Sequence, residues 1–240
     1  MKMMTFKSLM LAGIAVAAFS SAASASSITY VTPSGADAGG GPVDASATFV
    51  TGAGTITITL TNLEGNPTDV AQNISDLIFT VSSGTTTSAT IASSSGDQIN
   101  ISGGVATPAG TGLSTGWGLD ASAAGTIHLD DLGFAGPALT IIGPGPYTNA
   151  NGSIDNNNPH NPFINQTATF VLNVPLVTAN TTITSATFSF GTVSGLNVNG
   201  CAVGAAACTP PPPVPEPASL TLLGTGLAFL GTRLRRRKNA

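Results

Sequence analysis

Thr126-Ile127-His128-Leu129-Asp130-Asp131 is the only stretch of this 240-residue chain that brings catalytic ingredients together locally. On a β-strand, where successive side chains alternate between faces, Thr126, His128 and Asp130 share one side. A histidine beside a carboxylate can orient a base or ligate a metal. No serine stands in a nucleophile-elbow context, so the expectation is a solvated strand face, with a secreted hydrolase centred on His128 and Asp130 as the alternative. A second group, Asn149, Asn151, Asp155, Asn156, Asn157 and Asn158, offers oxygen ligands of the kind calcium takes. Its spacing fits no EF-hand, and a polar loop is the expected reading. Trp117, between Gly116 and Gly118, could stack on a sugar if exposed, together with the loop from Tyr147 to Phe163. Lone tryptophans in β-sandwiches are more often core. The Thr-x-Thr-x-Thr-x-Thr row from Thr55 to Thr61 has the hydroxyl and methyl regularity of an ice-binding face, but only one such row is legible. The expectation is therefore a non-catalytic protein with no metal site and no cofactor, and a carbohydrate-binding module as a further alternative.

Charge narrows the classes. The seven Lys and Arg residues are Lys2, Lys7, Arg233, Arg235, Arg236, Arg237 and Lys238, all near the two ends. Of the eleven acidic residues only Glu216 lies in those end segments. The segment from Ser26 to Thr209 thus carries about −10 at neutral pH with its histidines neutral. Such a body repels phosphate backbones, which excludes nucleic acid as a partner. It also has no side-chain cation with which to clamp a phosphate or carboxylate. Two cysteines, Cys201 and Cys208, close a short loop before a proline run, and in an exported chain a disulfide is the expected state.

The elements that position these groups read as strands. Thr55 to Thr61 alternates cleanly, with Ile56, Ile58 and Leu60 on one face and four threonines on the other. Further strands are predicted over 28–31, 47–50, 74–81, 86–91, 98–101, 126–129, 138–142, 167–174, 183–190 and 193–198. Gly, Pro, Asn and Ser clusters separate them, and Gly143 to Pro162 reads as a long exposed loop. The predicted fold is mainly β: a single antiparallel β-sandwich ectodomain, jelly-roll-like, with a C-terminal transmembrane sorting helix.

Both ends read as addresses. Lys2 and Lys7 precede an apolar core from Leu9 to Phe19, and Ala23-Ser24-Ala25 presents small residues to signal peptidase. Cleavage after Ala25 would leave Ser26 as the first mature residue. At the other end, Pro210 to Pro213 lead into Val214-Pro215-Glu216-Pro217, then an uncharged run from Ala218 to Thr232, then Arg233-Leu234-Arg235-Arg236-Arg237-Lys238. The prolines favour an extended spacer. A helix over the apolar run would reach about 22 Å, short of a hydrocarbon core of about 30 Å. Snorkelling arginines extend it and hold the basic end on the cytoplasmic side. The organisation is a signal peptide (1–25), a β ectodomain (26–209), a Pro-rich spacer with the Pro-Glu-Pro motif (210–217), a transmembrane helix (218–232) and a basic cytoplasmic tail (233–240).

This tail resembles the PEP-CTERM sorting signal, with motif, hydrophobic helix and Arg-rich end in order. The resemblance implies export by a Gram-negative bacterium and processing at the Pro-Glu-Pro motif by exosortase, a membrane-embedded cysteine transpeptidase. It also implies an association with exopolysaccharide, biofilm and surface attachment, and the same tail occurs on some ice-binding proteins. The partners implied are signal peptidase, exosortase in a transient complex, the membrane through the C-terminal helix, and extracellular polysaccharide. The expected location is an inner-membrane intermediate, then the cell surface or extracellular space.

Overall fold

A computed structural model describes residues 25–156, 158–193, 195–205 and 208. The strands are β1 (Ser26–Val31), β2 (Ala45–Gly52), β3 (Thr55–Asn62), β4 (Ile74–Val81), β5 (Thr90–Ser102), β6 (Val105–Leu113) and β7 (Gly118–Ala123), followed by β8 (Thr126–Asp130), β9 (Ile141–Ile142), β10 (Phe163–Asn173), β11 (Ile183–Phe190), β12 (Asn197–Asn199) and β13 (Cys201–Ala202). Helix is limited, among the described residues, to single 3-10 turns at Val70–Gln72 and Thr86–Ser88. The first turn is held by a capping box, in which the Asp69 carboxylate accepts from the Ala71 backbone N–H at 2.8 Å while Gln72 accepts from that of Asp69 at 3.1 Å.

The strands join in one open sheet, ordered β12-β11-β4-β9-β10-β3-β2-β1-β13, with β8 and β7 branching from β4 and β5 and β6 from β10. This differs from an antiparallel sandwich of two independent sheets. The join is β9, where Ile141 pairs antiparallel with Ile74 of β4 and parallel with Ile164 of β10. Two residues with free backbone groups on both sides are enough to stitch the halves together; of the strand predicted over 138–142, only Ile141–Ile142 forms one.

The connected sheet doubles back on itself. The Phe49 ring of β2 lies 4.9 Å from that of Phe79 of β4, although neither strand is hydrogen-bonded to the other. The Tyr30 hydroxyl of β1 donates to the Ile183 carbonyl of β11 at 3.0 Å, and Thr51 of β2 donates to the Thr181 carbonyl at 3.0 Å. The inward set is the one that alternation predicts. Ile56, Ile58 and Leu60 of β3, Leu77 and Phe79 of β4, and Phe170 and Leu172 of β10 are wholly buried. Burying such side chains contributes about 1.5–3 kcal/mol each, which is what fixes register against a one-residue slip.

Three strands, β6, β7 and β13, escape the sequence pattern. Every residue of β6 except Gly110 is exposed, so neither face carries an apolar stripe. β7 is short and interrupted by a register shift against β8. The segment from Gly143 to Pro162, read from sequence as exposed loop, instead packs Tyr147 and Ile154 with Val70, Ile99, Ile101, Ile142 and Phe163 in a second apolar cluster.

Cys201 and Cys208 are joined by a disulfide with Cα atoms 5.6 Å apart. Among the described residues no helix is long and apolar enough to cross a membrane. Ala23 and most of the predicted signal peptide lie outside the described residues, as do the 210–217 spacer with Val214 to Pro217, the 218–232 helix and Arg233 to Lys238. Ala25 is exposed, and β1 begins at Ser26, the residue after the predicted cut.

Candidate functional site

The local group around His128 gains a member that is distant in sequence. β8 pairs with β4 so that Asp130 lies opposite Asp76 and His128 opposite Ile78. On its other side β8 pairs with β7, placing Asp120 opposite His128. The alternation that sends Leu77, Phe79, Ile127 and Leu129 inward turns Asp76, His128, Asp130 and Asp120 to the outer face. Ligand atoms of Asp76, His128 and Asp130 all lie within 4.8 Å of one another. His128 Nε2 and Asp76 Oδ1 are 3.8 Å apart, too long for a hydrogen bond. Both atoms are inaccessible to solvent and neither has a hydrogen-bond partner.

Electrostatics follow from three carboxylates around one imidazole. Asp76 beside it raises the affinity of His128 for a proton above the ordinary value; burial opposes this, and Asp130 and Asp120 add to the rise. Burial raises Asp130, and the neighbouring Asp76 raises it further. Asp131 alternates to the interior, where it is fully buried with both carboxylate oxygens unpartnered. Desolvation first, then the charges of Asp76 and Asp130, push it up to about 9. Across β4, Ser189 stands opposite Asp76, and its hydroxyl donates to Asn197 Oδ1 at 2.6 Å. Gly133 N–H donates to Asp130 Oδ1 at 3.0 Å, and a Cβ on Gly133 would stand 2.3 Å from Asp130 Oδ2. The absence of a side chain there makes room for the carboxylate. Phe134, 57% exposed, covers Gly118 at the rim of the group.

Other sequence candidates fare differently. Trp117 is buried, with its indole N–H donated to the Leu139 carbonyl at 2.9 Å and its ring 5.4 Å from Phe170. Tyr147 and Phe163 are buried as well, so none of these rings presents a face to a sugar. In the Asn-rich loop, Asn151 Oδ1 accepts from Ser153, Asp155 Oδ1 from the Gly104 N–H, and Asn156 Oδ1 from Ser102. Those oxygens are already committed to protein donors.

The threonine row has company. Register places Thr29 of β1, Thr48 of β2, Thr59 of β3, Thr169 of β10 and Ser95 of β5 side by side across five strands. A neighbouring line runs Ser46, Thr61 and Thr167. Thr29 and Thr48 hydroxyls lie 2.9 Å apart, and those of Thr61 and Thr167 3.2 Å apart. The outer face of this half of the sheet is thus a two-dimensional hydroxyl array whose named residues are all uncharged. Sequence shows one row because the others come from strands paired only in the fold.

A cleft of about 450 Å³ lined by Thr32, Pro33, Asp44, Glu64 and Cys208 lies where the chain approaches the proline spacer. Glu64 is raised there by burial and by Asp44.

Residues 213–237 match the PEP-CTERM protein-sorting motif. The chain carries a PEP-CTERM sorting signal. No curated protein and no solved structure matches it. The PEP-CTERM motif makes this an exported, exosortase-sorted protein directed to the cell surface. Val214 to Pro217 and Arg233 to Arg237 lie within the matched residues, and such a signal is legible from sequence because it is read as a linear segment.

Proposed function

We propose that this is a non-catalytic cell-surface or extracellular-matrix protein, a body of one β-sheet doubled back on itself, delivered through its PEP-CTERM tail and associated with exopolysaccharide and biofilm. Signal peptidase cuts between Ala25 and Ser26. The 218–232 helix and the Arg233 to Lys238 stop hold an inner-membrane intermediate until exosortase processes it at Val214 to Pro217. The observation that carries the reading is the sorting motif over 213–237. It is supported by a body whose Lys and Arg residues are confined to the end segments, and by a first strand that starts at Ser26. The non-catalytic reading is supported by Ser189, whose proton is directed at Asn197 and away from the His128 group. The double substitution Glu216→Ala with Pro217→Ala is expected to leave full-length precursor in the inner membrane, read by immunoblotting of membrane fractions and by mass spectrometry of both termini. Normal processing of that variant would sink the sorting assignment.

A second reading rests on the hydroxyl array of Thr29, Thr48, Thr59 and Thr169. An uncharged, hydroxyl-bearing face with strands about 4.8 Å apart suits contact with an ordered hydroxylated surface, polysaccharide or ice. Retention on insoluble polysaccharide and thermal hysteresis, each compared with Thr59→Asp, separate the two. Loss of neither property in the variant, or absence of both in the parent, removes this reading.

A further inference from the structure

We propose that Asp76, His128 and Asp130 form a binding site for a single divalent transition-metal ion of the zinc class. Asp76 is only 9% exposed, and its Oδ1 points at the site without a hydrogen-bond partner. His128 Nε2 is equally inaccessible and unpartnered. A buried polar atom left without a partner costs about 1–3 kcal/mol, more for a charged group, so two facing one another are unusual unless something lies between them.

The separation fits an ion. Metal bonds of about 2.0–2.2 Å to imidazole nitrogen and carboxylate oxygen allow two ligand atoms to stand at most about 4.2 Å apart. The observed 3.8 Å is inside that limit. It is also about 1 Å longer than the charge-assisted hydrogen bond that a His–Asp pair would otherwise make. Asp130, partly exposed and with its ligand atom within 4.8 Å of the others, would complete the set by moving inward by a few tenths of an ångström when an ion binds.

Charge gives the second reason. Asp76, Asp130 and Asp120 gather around one imidazole, in a segment from Ser26 to Thr209 that contains no Lys or Arg. Elsewhere such a cluster would recruit an arginine; this sequence has none to offer. A divalent ion supplies the missing positive charge at the centre of the group. The mixed donor set, one imidazole nitrogen and two carboxylates, suits zinc or its first-row neighbours better than calcium, which prefers six to eight oxygens. Three protein ligands at an outer face leave a fourth position open to water or an outside ligand.

The test uses the full chain purified in detergent, with zinc chloride alone as the probe in titration calorimetry and cobalt(II) substitution followed by visible absorption. One equivalent of zinc should bind. His128→Gln and Asp76→Asn should each weaken it at least tenfold and abolish the cobalt spectrum. Substituting the other histidine of the chain, His160→Gln, should leave both unchanged. Because Asp76 is buried, each variant is first checked by far-UV circular dichroism, and the partly exposed His128 carries the decision if Asp76→Asn fails to fold. Zinc binding unchanged in His128→Gln, or no stoichiometric binding at millimolar zinc, overturns the proposal.

Discussion

If the sheet folds over itself, Phe49 and Phe79 must behave as one packing unit although their strands share no hydrogen bond. Both rings are wholly buried, with centroids 4.9 Å apart and planes at 52°. Truncating either to alanine should cost about 3–5 kcal/mol through lost transfer energy and the cavity left behind. That is a large share of the roughly 5–15 kcal/mol available to a domain. In the double variant the second truncation enlarges a hole already opened, and the ring–ring contact is lost only once. The double should therefore fall short of the sum of the singles by about 0.5–1.5 kcal/mol. Phe163 supplies the control, since it is equally buried but belongs to the second cluster. Phe79→Ala with Phe163→Ala should add within about 0.5 kcal/mol. Urea unfolding of the purified protein, followed by the fluorescence of its one tryptophan, Trp117, reads all five variants. Additivity of Phe49→Ala and Phe79→Ala within error would mean that β2 and β4 do not face each other, and the two-layered packing would have to be abandoned.

Burial holds Tyr147 at about 12, above its unfolded value of about 10, so the stability it contributes is intact below pH 10 and is lost as pH rises through 12. The loss is at most about 2.7 kcal/mol for two pH units, with Tyr30, also raised by burial, adding in the same direction. Tyr147→Phe should flatten that alkaline limb in urea midpoints while costing about 1 kcal/mol at pH 7, because the hydroxyl donates to the Gly143 carbonyl; an unchanged limb would refute the burial argument. Gly143 itself admits no side chain, since a Cβ would stand 1.9 Å from the Glu64 carbonyl oxygen. Gly143→Ala should destabilise by about 1–3 kcal/mol, against no more than about 0.5 for Gly152→Ala, whose Cβ would meet nothing within 4 Å, and equal melting temperatures would contradict the packing of this segment.

Legibility in the sequence tracked the range of the interaction that fixes each feature. β3 and β4 were readable to within a residue because period-two alternation is a local record of one buried face. β6 left no such record, since water touches both its faces, and β9 was found only as part of the longer predicted strand 138–142, which pairs at two residues. The His128 group shows the same division. His128 and Asp130 are neighbours on one strand and were visible, whereas Asp76 joins them only through the β4–β8 register. The signal that could have found it was the odd carboxylate inside the apolar run Ile74 to Val81, a charge where a strand of this composition has no local reason to carry one. Trp117 was settled by its indole partner, a carbonyl that no sequence pattern assigns.

A body without lysine or arginine must also manage its sheet edges by other means. Lysines on edge strands commonly keep unpaired backbone groups from recruiting a second chain. Here β6, which pairs only with β5, carries Pro108, and proline has no N–H to offer a partner. Register shifts between Gly96 and Gln98 and again at Ile99 twist the β5–β6 ribbon, so that its rim is not a flat template. At the two ends of the main ladder the strands are cut short, β12 to three residues and β13 to two. The second of these is closed by the Cys201–Cys208 disulfide, an option open to an exported chain. Proline, brevity and a covalent loop thus do without charge what lysine does elsewhere. They leave the uncharged hydroxyl face that carries Thr59 and Thr48 free for contact with whatever lies outside the cell.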